Sequence, residues 1–135
     1  MIATLLLALA LQGSLDAQAR EFHCSDPQAQ LDMNKCAGID FQRADLALNR
    51  AWAEAIAAAR HDDAEIDRAN DRRPTEEAQL RQAQRAWLVF RDAECTVEGY
   101  REARGGSMEP MIYNGCRARL TRERTAQLRP QPNER

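Results

Sequence analysis

Between Pro74 and Arg104 the apolar residues are spread too widely for a helix that lies on the edge of a small domain. Leu80, Ala83, Trp87, Phe90 and Val97 fall on one helical face, and Gln84, Leu88, Arg91 and Cys95 form a second about 100° round the axis. An arc of that width calls for neighbours on two sides, and Trp87 is the largest single surface it offers for burial. The stretch is therefore expected to be the helix around which the other elements pack. Pro74-Thr75-Glu76-Glu77 opens it, with acids in the first turn where the helix dipole favours them. Arg104-Gly105-Gly106-Ser107 ends it and turns the chain.

The remaining elements follow from the same periodicity. Phe41, Ala44, Leu48, Trp52, Ala55, Ile56 and Ala59 keep helical spacing, with neither Gly nor Pro before Pro74. Upstream, Ser25-Asp26-Pro27-Gln28 is expected to start a short helix carrying Leu31 and Met33 to Cys36. Ala37-Gly38 should break or bend that helix, and Asp40 should cap the next. Residues 61–73 hold almost no apolar side chains and fit either a solvated helical extension or a polar connection. Ser107 is expected to cap a last helix with Pro110 in its first turn and Met108, Ile112, Cys116, Leu120 and Leu128 on one face. Pro130 and Pro132 should close the fold, leaving a loose tail at 131–135. No strand pattern or internal repeat is present, so the predicted class is all-α. The expected architecture is a small disulfide-linked three-helix bundle with a short extra N-terminal helix, monomeric or weakly associating.

Residues 1–19 stand apart from that bundle. Leu5 to Leu11 is an unbroken Leu/Ala run and Ala17-Gln18-Ala19 is a small-x-small cleavage site, the pattern of a secretory signal peptide. The run lacks a basic n-region and is too short to span a bilayer, and Cys24 follows Glu-Phe-His rather than a lipobox, so neither stable membrane insertion nor a lipid anchor is expected. The expected product is a periplasmic or secreted domain over residues 20–130. Beyond Ala19, 20 acids face 19 bases. So even a balance gives no whole-molecule attraction to nucleic acid, and export makes such a partner less plausible still.

Cys24, Cys36, Cys95 and Cys116 are an even number in a chain read as exported, where oxidised pairs are the expected state. Cys95 lies as far before the Gly105-Gly106 turn as Cys116 lies after it, so an antiparallel hairpin brings them to one level. Cys24 and Cys36 then pair by elimination, which requires the segment before Pro27 to fold back or the helix to start late. No CxxC or Cys/His cluster is present, and no metal or other cofactor is expected.

Candidate sites are few. Asp45, Asn49, Gln84, Arg91 and Arg124 are polar residues beside apolar faces, read as a buried network in which Asp45 pairs with Arg91 or Arg124. Nothing favours catalysis: beyond residue 19 the serines, Ser25 and Ser107, read as caps, and the histidines, His23 and His61, lie in polar surroundings. Residues 62–77 carry seven acids against three arginines, so Asp62, Asp63, Glu65 and Asp67 are candidates for contact with a basic protein. Gly105, Gly106 and Ser107 are the other candidate contact, a braced turn.

The ordered set Cys24, Asn34 and Cys36, then Ala44-Asp45 with Leu48-Asn49, then Gln84-Arg85-Ala86-Trp87-Leu88 into Phe90-Arg91-Asp92 and Cys95, then Gly105-Gly106-Ser107, Cys116, Thr121, Arg124 and Leu128 resembles the LprI-like lysozyme inhibitor family, formerly domain of unknown function 1311. Trp52 stands where that family more often has Tyr. The resemblance implies an exported, all-helical, disulfide-linked domain, and the scarcity of catalytic candidates adds the expectation that it is not an enzyme. Its implied partner is lysozyme or another peptidoglycan hydrolase. The alternative is a non-inhibitory structural or adaptor module that binds an envelope protein or glycan.

Overall fold

The computed structural model describes residues 2–129. Four helices follow in order, α1 (Ile2–Glu21), α2 (Gln30–Ala64), α3 (Glu76–Ala103) and α4 (Glu109–Leu128), and there is no strand among the described residues. Pro130, Pro132 and the tail at 131–135 lie outside them.

The helix expected between Pro27 and Cys36 is not a separate element. It is the first fifth of α2, which runs unbroken through Ala37-Gly38, and the extra N-terminal helix is instead the leader segment α1. A mid-helix glycine costs only about 1 kcal/mol relative to alanine. Anchors on both sides outweigh that cost: Asn34 Nδ2 donates to the Ser107 carbonyl before Gly38 (2.9 Å), and Ile39 is buried just after it. Leu31, carried by the expected short helix, is exposed, and the helix starts at Gln30 with Ala29 as a cap that has no side-chain hydrogen bond. The fold-back that the Cys24–Cys36 bridge requires is made by the turn after α1. His23 takes a left-handed φ of 51° there and the Cys24 N–H donates to the Ala19 carbonyl at 2.9 Å.

At its other end α2 stops at Ala64, and residues 65–75 form the connection that the charge pattern left undecided. Thr75 caps α3 by accepting from the Ala78 N–H, and Asp63 reaches across from α2 to accept from the N–H groups of Glu76 and Glu77 at 2.8 and 2.9 Å. One carboxylate thus satisfies two orphan donors of the next helix. Glu77 then pairs with Arg60 of α2 and with Arg81 one turn on.

α2, not α3, is the helix that the others share: it packs against α1, α3 and α4. Its most extensive contact is with α4, where small residues let the backbones approach. Ala44, Ala51 and Ala59 are buried on α2, and Ala118, Thr121 and Thr125 on α4. This differs from the face expected for α4. Cys116 and Leu128 are buried, but Met108 is exposed and Ile112 and Leu120 only half-buried, because the close approach selects small side chains over large ones. Leu48, Ala51 and Leu128 form the apolar centre, with Trp52, Ala55, Leu80 and Trp87 against it.

Both disulfides pair as expected, Cys24 with Cys36 and Cys95 with Cys116, each with Cα atoms 5.4 Å apart. Cys95 and Cys116 are buried, and one turn beyond them Gly99 lets α3 pass close to Glu109 and Tyr113. The turn itself uses Gly105 at φ 75°, with its N–H donated to the Glu109 carboxylate. Ser107 does not cap α4. The cap residue is Met108, without a side-chain bond, and Ser107 instead offers its carbonyl to Asn34.

Replacing Cys95 and Cys116 together with alanine should lower unfolding free energy by roughly 3 kcal/mol, from the loop-closure entropy of 21 residues. Denaturant titration of the oxidised variant checks this. Hydrogen bonds from Arg60 and then Arg81 hold the Glu77 carboxyl below its ordinary value of 4.5. A depressed carboxylate stabilises the fold above its unfolded pKa and loses that contribution as pH falls through the folded value. The thermal midpoint should therefore drop below about pH 4.5 more steeply in the wild type than in Glu77→Gln, measured by circular dichroism.

Candidate functional site

Where α2, α3 and α4 meet, guanidinium groups and aromatic rings alternate. Arg91 of α3, 4% exposed, has its guanidinium carbon 5.1 Å from the centroid of Phe41 on α2 and 5.2 Å from that of Trp87 on its own helix. Arg117 of α4 lies 3.7 Å from the Phe41 centroid and 5.0 Å from that of Tyr113. The order Trp87, Arg91, Phe41, Arg117, Tyr113 is a ladder drawn from three helices, with each cation against two ring centroids. Asp92 is the counter-charge. Its Oδ1 accepts from Arg91 Nε at 2.9 Å and lies 3.3 Å from Arg117 Nε, which finds no aligned hydrogen-bond partner. Arg91 also donates to the Thr121 hydroxyl at 3.4 Å and has Asp45 Oδ1 at 3.9 Å.

The five polar residues singled out from the sequence therefore separate. Asp45 and Arg91 share the ladder. Arg124 and Gln84 form a second pair, Arg124 Nε donating to Gln84 Oε1 at 2.9 Å and a terminal nitrogen to Gln127, and burial pushes the Arg124 guanidinium pKa down. Asn49 is exposed and joins neither group. Asp92, Arg117, Thr121, Phe41 and Tyr113 were missed as site residues. The Arg91-Asp92 dipeptide was the visible sign of one of them, whereas the aromatic partners lie on other helices and leave no local spacing to read.

The ladder has no free base or nucleophile, and no group of three metal-ligating side chains occurs among the described residues. Its chemistry is cohesive. What remains for recognition lies at the surface. Of the acidic candidates, Asp63 is occupied as the cap of α3. Asp67 accepts from Asn70 and from the Ala69 N–H, contacts that hold its carboxyl below the usual range. Asp71 is held lower still by Arg73. Asp62 and Glu65 are exposed on the same corner. Gly105 and Gly106 are exposed too, but the turn is closed by Glu109 and Asn34. At the other side of α2 an open groove of about 360 Å³ is lined by Gln18, Phe22, Asn34, Lys35, Gln42 and Asn114 among others. No helix of the described residues is long and apolar enough to cross a membrane.

Replacing Arg91 with alanine should cost about 3 kcal/mol, mainly from lost ring contacts, because both carboxylates keep access to water. Arg91→Lys should recover only part of it, since one ammonium cannot reach both rings, Asp92 and Thr121 at once as the spread guanidinium does. Urea titration of both variants tests this.

Comparison with known proteins agrees with the sequence motifs. A protein of Rhizobium meliloti (strain 1021), described as uncharacterized protein R02472, is 41% identical over 123 residues, covering 91% of this chain and 88% of its own length. No solved structure matches. The family described as Lysozyme inhibitor LprI matches residues 23–128, a span holding all four cysteines and the whole ladder, and the chain belongs to that family.

Proposed function

We propose that the protein is an exported cell-envelope binding protein that inhibits lysozyme or a related peptidoglycan hydrolase once residues 1–19 have been removed near Ala19. Two disulfides belong in an oxidising compartment, and family membership supplies the activity class. The observation that carries the reading is the acidic corner at the end of α2. Its backbone is pinned by the Asp63 cap and the Asp67 turn, while Asp62 and Glu65 stay exposed. A stiff acidic projection suits a strongly basic enzyme, because little backbone freedom is lost on binding. The Gly105-Gly106-Ser107 turn is a second contact candidate.

The side of the groove that α2 and α4 form, which stays when Gln18 leaves with the leader, favours the alternative, a non-inhibitory module that binds an envelope protein or glycan. The amides of Gln42 and Asn114 are donors and acceptors of the kind that sugar hydroxyls pair with, whereas that of Asn34 is held by Ser107 and Gln30.

Purified protein should lower lysozyme turnover stoichiometrically, and added salt should weaken the effect because exposed charges are screened. Asp62→Lys combined with Glu65→Lys should raise the inhibition constant about tenfold with an unchanged helical spectrum. Asp63 is left intact in that variant, since reversing it would uncap α3. Unchanged lysis rates over several lysozyme types at micromolar excess would remove inhibition and leave the adaptor reading.

A further inference from the structure

Ala83, Ala86, Phe90, Ala93, Val97 and Tyr100 recur along α3 at spacings of three, four, three, four and three, and all six are exposed. Phe90 is 55% exposed, Val97 39% and Tyr100 44%, with Val89 beside them at 73%. At 100° per residue this stripe lies opposite Arg91 and Cys95, the face that α2 and α4 cover. It is the side of the wide arc that carries Ala83, Phe90 and Val97, and its exposure shows that no helix of the described residues covers it. The spacing is that of a coiled-coil seam, so the surface fits another helix rather than a flat partner.

The seam's pattern of sizes specifies which helix. In an antiparallel pair, positions of one kind meet positions of the other, giving layers Ala83 with Tyr100, Ala86 with Val97 and Phe90 with Ala93, each repeated by the two-fold axis. Every layer then sets one alanine against one large side chain, as interdigitated packing needs. A parallel pair would stack Phe90 on Phe90 and Ala93 on Ala93, alternating crowding with voids. Charge points the same way. Glu76 continues the seam at the start of α3, and Arg104, whose guanidinium carbon lies 4.4 Å from the Tyr100 centroid, continues it just past the end. The antiparallel register brings Glu76 of one chain within about one turn of Arg104 of the other, at both ends, whereas the parallel one sets like charges together.

We propose that a second copy of this chain docks antiparallel on the outer face of α3, forming a two-fold helix-pair dimer. Eighteen residues make a seam about 27 Å long, which places the contact at the small end of specific interfaces and the dissociation constant on the order of 100 µM. Sedimentation equilibrium of the full chain between about 10 µM and about 1 mM should show a reversible monomer–dimer exchange. Phe90→Glu should weaken it at least about tenfold while the far-ultraviolet spectrum stays unchanged. Glu76→Arg and Arg104→Glu should each weaken the dimer, and the two together should restore it. Ala86→Cys mixed with Val97→Cys should give a cross-linked pair that neither variant gives alone. A chain that stays monomeric at about 1 mM would overturn the proposal and leave the seam to a different protein. Self-linkage of Ala86→Cys would overturn the antiparallel arrangement, and a dimer that survives Phe90→Glu would place the interface elsewhere.

Discussion

A charged guanidinium in the middle of a small helical bundle sets the terms for everything packed round it. Arg91 cannot be left without partners at that depth, and the structure meets its needs in two ways. Its charge lies over the rings of Phe41 and Trp87, and its nitrogens meet Asp92 and Thr121, with Asp45 farther off. Because these groups come from α2, α3 and α4, a slip of any helix by one turn would break several contacts at once. The arginine thus selects a register that an aliphatic residue would leave loosely specified.

That register is reinforced from either end of the bundle. Near the Gly105 turn, the buried Cys95–Cys116 bridge and the close approach at Gly99 hold α3 to α4. At the opposite end, Asp63 and the Glu77 pairs tie the end of α2 to the start of α3. Between them, alanine and threonine contacts keep α2 and α4 close, where the hydroxyl of Thr125 is satisfied by the Thr121 carbonyl at 2.8 Å. An apolar centre as small as Leu48, Ala51 and Leu128 would be thin support alone, and the bridges and the ladder supply what it lacks.

Function, on this construction, is a matter of outward-facing surfaces on a stiff frame. The acidic corner, the amide-lined groove and the apolar stripe of α3 lie on different parts of the molecule and suit different partners. The corner shows how structure and recognition divide one charged run. Asp63 and Asp67 hold the backbone, which leaves Asp62 and Glu65 available.

Helical class, both disulfide pairings, the opening of α3 at Thr75 and the family were legible in the residues, because they rest on local spacing, on an ordered set of motifs, on counting from a turn and, for Cys24 with Cys36, on elimination. The antiparallel register of Cys95 and Cys116 about Gly105-Gly106 is the clearest case. What local spacing could not supply was choice among surfaces. It allowed a break at Gly38, yet the anchors at Asn34 and Ile39 carry α2 through. It placed Met108 and Ile112 on the packed face of α4, yet the short distance to α2 admits Ala118 and Thr121 instead. It read the broad apolar arc of α3 as covered on both sides, yet α2 and α4 reach only the face that holds Arg91 and Cys95. Spacing along a helix determines which residues share a face, but only the packing of the other helices decides which face is buried, since that depends on how closely distant segments approach.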